Sequence, residues 1–419
     1  MSQDKANNLG ELVQNHAVND QETLLLQKSI DDYIDDKKNI YNAILKFLED
    51  SEENKNDEND AYSFQDLREI LNSHHIFEDL HEIRQILQII NNIGNNHRRV
   101  RNFISKINSI LLNYKTQIKQ ALSNTEIFDI FKSNKMIVHF LLKNDILTLS
   151  QTICEEMINT LDLNGDRYCY FFFTEIEKFA GKEKMKDIKK ELLSKYPNVF
   201  DNYDIKRQTG ENDSYICSLI REDMIEEFVQ YVNQTNYDLS SDIKSSPFET
   251  NPFLIMKKNV TLIEYSAFFG SIQILTFLTM NKINLTKSLC IFAIHSNNAD
   301  LIHFLESNKI LISERENVYF LKCYIESIKC HHNNFADYFE TNYLQQNEEE
   351  KILSKCLKYH NWALLQNHII CKYCFFDLCY YDYHKLINLL MKKKENEIEK
   401  EIIKTLIFFN QEMISLGKI

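Results

Sequence analysis

The sequence predicts an all-α protein, with an N-terminal helical bundle or stack followed by a helix-turn-helix solenoid. The first observation is a shortage of helix breakers. Proline occurs only at 197, 247 and 252, so the first 196 residues lack the residue that most disrupts a helix interior. The second is periodicity, since apolar residues recur there at three- and four-residue spacing. The third is a recurring unit from about residue 215, in which a short apolar helix, a tight turn and a second apolar helix follow one another. Such units cannot bury their apolar faces alone and must stack.

Taken in order, residues 1–22 are polar and are expected to be disordered. Residues 23–205 form the N-terminal helical region. Its clearest stripe is Val100, Phe103, Ile104, Ile107, Ile110, Leu111, Tyr114, Ile118 and Leu122, which reads as one amphipathic helix. Shorter stripes run over 30–48, 64–71, 76–90, 127–142 and 153–161, and Ser63 with Asp66 resembles a capping box before the second of these. Residues 49–60 hold seven carboxylates, one lysine and no apolar side chain, the composition of a solvated linker. Residues 168–173 fit a strand as readily as a helix. Breakers cluster from 197 to 252, and the polar run at 205–214 with Gly210 marks the expected domain junction. Degenerate repeats are expected over 206–415.

The best-formed unit runs from Thr261 to Leu278. Thr261 stands as an N-cap, Leu262 and Tyr265 with the small pair Ser266-Ala267 form a first helix, and Gly270 permits a left-handed reversal. Ile272, Ile274, Leu275 and Leu278 then form the buried stripe of a second helix. This order resembles the ankyrin repeat, in which Thr-Pro-Leu-His opens a helix and glycine makes the turn. Leu262 replaces the proline and Glu264 the histidine, so the opening corner is expected to differ.

A second copy spans Ser288 to Leu305, with Asn297 in place of Gly270; Asn is the non-glycine residue that best tolerates the left-handed region. Further copies are expected around His331-His332-Asn333, Tyr359-His360-Asn361 and Tyr380-Tyr381-Asp382, and an earlier one around Ile216 to Val229. Turn-to-turn spacings from Gly270 are then 27, 36, 28 and 21 residues, against roughly 33 for ankyrin repeats.

The run from about Met136 to Leu344 is similar to the ankyrin-type proteins, with a helical region ahead of the repeats, that are expanded in trichomonad protists. Phe171-Phe172-Phe173, Lys189-Lys190-Glu191-Leu192-Leu193, Gly210 through Cys217 and Thr261 through Leu278 carry this resemblance. It implies an ankyrin-type fold and brings no catalytic residue or cofactor with it. In such stacks the two residues before each turn face the concave groove where partners are held. Here those pairs are Phe268-Phe269, His295-Ser296, His331-His332, Tyr359-His360 and Tyr380-Tyr381. Aromatic and imidazole side chains combine contact area with polar tips, as interface hot spots do. The expected function is therefore a protein–protein interaction module, an adaptor or scaffold binding a protein or peptide.

Composition bounds the other classes. A net charge of −13 disfavours nucleic acid as the main partner. Arg98, Arg99 and Arg101 form the one basic cluster, and surface charge accounts for it. No stretch has the length and apolarity of a signal or a membrane span, so a cytoplasmic location is expected, with the ten cysteines reduced. Seven glycines at 10, 94, 165, 181, 210, 270 and 417 cannot compose a P-loop, a dinucleotide fingerprint or a nucleophile elbow. No catalytic residue, cofactor or metal is therefore assigned. The Asp162-to-Asp166 run lacks the glycine and bidentate glutamate of a calcium loop, having Arg167 and Phe173 at those positions. The alternative is a metal-dependent or hydrolytic enzyme built on Cys371, Cys374 and Cys379 with His368 and His384; it lacks a matching second pair of ligands at finger spacing.

Overall fold

Three helices of this chain begin in the same way. Ser63, Ser123 and Thr261 each lie in extended backbone, accept a hydrogen bond from the third helical N–H, and receive an acidic side chain back on their own N–H. Asp66, Glu126 and Glu264 close these capping boxes.

The computed structural model describes residues 3–50, 63–97, 102–162, 165–310, 317–344, 349–365 and 375–393. The expected acidic linker, apart from its ends at Glu49 and Asp50, and the basic cluster at Arg98, Arg99 and Arg101 lie outside them. In chain order the α-helices are α1 Gln3–Glu49, α2 Phe64–Ser73, α3 Leu80–Asn96, α4 Phe103–Asn113, α5 Lys115–Ala121, α6 Asn124–Phe131, α7 Lys135–Lys143 and α8 Gln151–Asn159. Then come α9 Phe173–Ala180, α10 Lys182–Lys195, α11 Tyr203–Thr209, α12 Tyr215–Arg221, α13 Ile225–Thr235, α14 Pro252–Met256, α15 Leu262–Phe269 and α16 Ile272–Met280. The last are α17 Ser288–Ser296, α18 Ala299–Ser307, α19 Asn317–Cys330, α20 Asn333–Tyr343, α21 Glu349–Tyr359, α22 Phe375–Tyr380 and α23 His384–Lys393. Among the described residues there is no strand, only two isolated bridges, and no helix is long and apolar enough to cross a membrane. The fold is all-α.

Helix α1 runs from Gln3 to Glu49. Two local expectations are corrected. The long stripe of 100–122 breaks at Tyr114, whose φ of −104° separates α4 from α5 while Ile110, Tyr114 and Ile118 stay buried on one face. Residues 168–173 form a 3-10 turn and the start of α9, and Phe171, Phe172 and Phe173 are almost fully buried. Each such ring contributes roughly 1.5–3 kcal/mol by burial.

The chain divides into two compact units. Of the described residues, one comprises those within 3–50, 63–85 and 349–393, and the other those within 86–344. In the first, α1 packs on α2, on the turn Trp362–Leu364 and on α23. Trp362 is fully buried, with its ring edge-on to Tyr33 at 6.1 Å. In the second, the expected junction is interior. Arg207 is buried and reaches both oxygens of Glu175 at 2.9 and 2.8 Å. Gly210 has φ +66°, and its carbonyl accepts from the Thr250 N–H at 3.1 Å, tying the turn to the proline-bearing insert.

Four helix pairs follow in the second unit: α12/α13, α15/α16, α17/α18 and α19/α20. The first helices pack in series, α12 on α15, α15 on α17 and α17 on α19. Each reversal inside a pair uses one left-handed residue, Asp223, Gly270, Asn297 or His331. Asn236, Lys282 and Lys309 reverse the chain again after the second helices. The recurring hydrogen bond joins an N–H to the carbonyl five residues earlier, as in Met224 to Leu219, Ser271 to Ser266, Ile283 to Leu278 and His332 to Ser327. The first unit repeats it at Asn361 to Cys356 and Tyr383 to Leu378, beside the left-handed His360 and Asp382.

Candidate functional site

The C-terminal ends of the first helices converge because each layer reverses at the same point. Arg221 of α12, Phe268 and Phe269 of α15 and His295 of α17 line a cavity of about 110 Å³ with His97, Glu211 and Asn251. Layers are also tied beside it. Asp223 of one pair accepts from the Gln273 and Ile274 N–H groups of the next at 3.1 and 3.0 Å, and Arg221 donates to the Tyr265 hydroxyl at 3.1 Å.

The cavity wall continues inward to a polar cluster. His295 is 2 % exposed and lies between Phe253, at 4.1 Å between ring centres, and Phe268, at 5.0 Å. Its Nε2 is 2.8 Å from Glu326 Oε1, and Lys329 Nζ is 2.8 Å from the same oxygen. Cys330 Sγ lies 3.4 Å from His295 Nδ1 and 3.7 Å from Nε2. Glu326 and Cys330 are four apart on α19 and therefore share a face. Burial pulls the His295 pKa down against the attraction of Glu326. Burial opposes the ionisation of Glu326, but His295 and Lys329 outweigh it and hold this carboxyl at about 2. Burial also pushes the Cys330 thiol well above its ordinary range. A thiol held neutral is a poor nucleophile, so Cys330 is not an activated cysteine. The ligand atoms of His295, Glu326 and Cys330 all lie within 4.8 Å of one another.

The expected ladder is only partly where the turns place it. Phe268-Phe269, His295-Ser296 and Tyr380-Tyr381 do precede left-handed residues. In the other two units His331 and His360 are themselves left-handed, so the residues before the turn are Lys329-Cys330 and Lys358-Tyr359. Exposure differs too. Phe268, His295, Ser296, His331, His332 and His360 are buried, Phe269, Tyr359 and Tyr381 are half-buried, and Tyr380 is exposed. Aromatic neighbours take up those faces: His332 meets His97 edge-on at 4.5 Å, and His360 stacks on Tyr383 at 5.1 Å. Six of the ten are therefore buried among neighbouring helices.

Of the C-terminal cysteine cluster, His368, Cys371 and Cys374 lie outside the described residues. Cys379 is buried and its thiol is pushed up to about 11 by burial. His384 stacks on His81 at 4.0 Å. Sequence reasoning missed Arg221, Phe253, Glu326 and Lys329. The three- and four-residue spacing of Glu326, Lys329 and Cys330 on a helical stripe was the available signal. No protein-family model, curated protein or solved structure matches this chain.

Proposed function

We propose that the layered pairs of residues 215–343 are ankyrin-like repeats and that the chain is a cytoplasmic adaptor or scaffold holding a protein or peptide. The observation that supports this reading is the repeated backbone signature: one left-handed reversal per pair, a second after the second helix of the first three pairs, and first helices packed in series. Stacked pairs of this kind yield an extended surface whose edge residues are not used by the core. On the first helices, Phe269, Ile291 and Ile325 remain half-buried and Lys322 is exposed. These replace the buried members of the ladder as the contact residues.

The test is affinity capture with the full chain, comparing the wild type with Phe269→Arg/Ile291→Arg. Partner recovery is expected to fall at least about tenfold, equivalent to about 1.4 kcal/mol of binding, while helicity and melting temperature hold. Unchanged recovery by a folded double variant rejects this surface.

A further inference from the structure

We propose that His295, Glu326 and Cys330 form a binding site for one zinc-class divalent cation inside the helix stack. Nitrogen, carboxylate oxygen and thiolate sulfur are the donors such ions take. Two neighbouring helices supply them, His295 from α17, Glu326 and Cys330 from α19.

The spacing suits a tetrahedral ion. Bond lengths of about 2.0 Å to nitrogen and about 2.3 Å to sulfur give a tetrahedral edge of about 3.5 Å. Cys330 Sγ is 3.7 Å from His295 Nε2 and 3.4 Å from Nδ1, so the ring must turn for Nε2 and Sγ to share one ion. The 2.8 Å between Nε2 and Glu326 Oε1 must open by about half an ångström, to the edge of about 3.3 Å for two ligands at about 2.0 Å.

On binding, the Cys330 proton leaves to solvent, and the cation's two positive charges meet one carboxylate and one thiolate, with the Lys329 ammonium beside the carboxylate. Lys329, 2.8 Å from Glu326, orients the carboxylate from outside the coordination sphere.

The experiment loads the full-length chain with Zn²⁺ or Co²⁺, removes free metal by dialysis and measures bound metal by mass spectrometry and X-ray absorption. About one ion per chain is expected, with one sulfur among its ligands. The sulfur-to-cobalt charge-transfer band should disappear in Cys330→Ser and survive in Cys371→Ser/Cys374→Ser. Less than about 0.2 ion per chain overturns the proposal. So does an absorption edge with no sulfur or several, or a cobalt band that survives in Cys330→Ser. The sulfur count uses the wild-type chain and stands even where a variant fails to fold.

Discussion

Lys37 of α1 and Glu82 of α3 form an ion pair from which solvent is almost excluded, their side chains being 4 % and 5 % exposed. Lys385 of α23 reaches the other oxygen of Glu82 at 2.9 Å. Three helices distant in sequence thus meet on one carboxylate in the first unit. Removing Glu82 leaves Lys37 buried without it, whereas removing Lys37 leaves Glu82 with Lys385. Glu82→Leu should therefore cost about 3–5 kcal/mol, Lys37→Met less, and the double variant less than the sum. Denaturant unfolding of the four proteins checks this. Additive losses contradict the pairing.

The reversals of the second unit make a graded prediction. Gly270 has φ +74°, and a Cβ there would lie 3.1 Å from Ser296 Cβ in the next layer. Gly270→Ala should cost at least about 1–2 kcal/mol. Asn297 is also left-handed at φ +51° but exposed, so Asn297→Gly should change stability by less than about 1 kcal/mol. Thermal melts order the two variants.

His360 predicts a pH dependence. Burial, and then the charge of Lys37, lower its pKa to about 3, so the fold keeps the ring neutral. The unfolded ring takes a proton below about pH 6.5, so the stability tied to neutral His360 is present above that pH and is lost as pH falls towards about 3. The slope is up to about 1.4 kcal/mol per pH unit. His360→Asn keeps a residue suited to the left-handed backbone and should lower the slope by about one proton. Equal slopes for both proteins exclude this role.

Cys323 and Cys290 face each other across neighbouring first helices with 3.5 Å between sulfurs, both fully buried. The hydrogen bond with Cys323, then burial, hold the Cys290 thiol well above its ordinary range, so cross-linking by a thiol oxidant should be slow at neutral pH and faster in mild denaturant. Non-reducing peptide mapping should recover the 290–323 pair. Cross-linking only to other cysteines contradicts the packing of α17 on α19.

Features carried by local chemistry were legible. Ser63 and Thr261 as caps, and Gly270 and Asn297 as left-handed turns, depend on one residue and its near neighbours. His331 and His360 were not, since histidine is less expected at positive φ than the asparagines at 333 and 361 that the alignment chose. Burial of the ladder was hidden for another reason: it depends on Phe253, which reaches His295 from a separate helix, and on His97, which reaches His332 from more than two hundred residues away. The grouping of α1 with α21 to α23 had no local signal either. It rests on contacts such as Lys37 with Glu82 and Tyr33 with Trp362 that no periodicity encodes.

Cross-linking mass spectrometry on the captured complex tests the central claim most directly. Partner cross-links are predicted at Lys322 on α19 and at Lys287 just before α17. Cross-links confined to α10, from Lys182 to Lys195, would contradict an inner-helix binding surface.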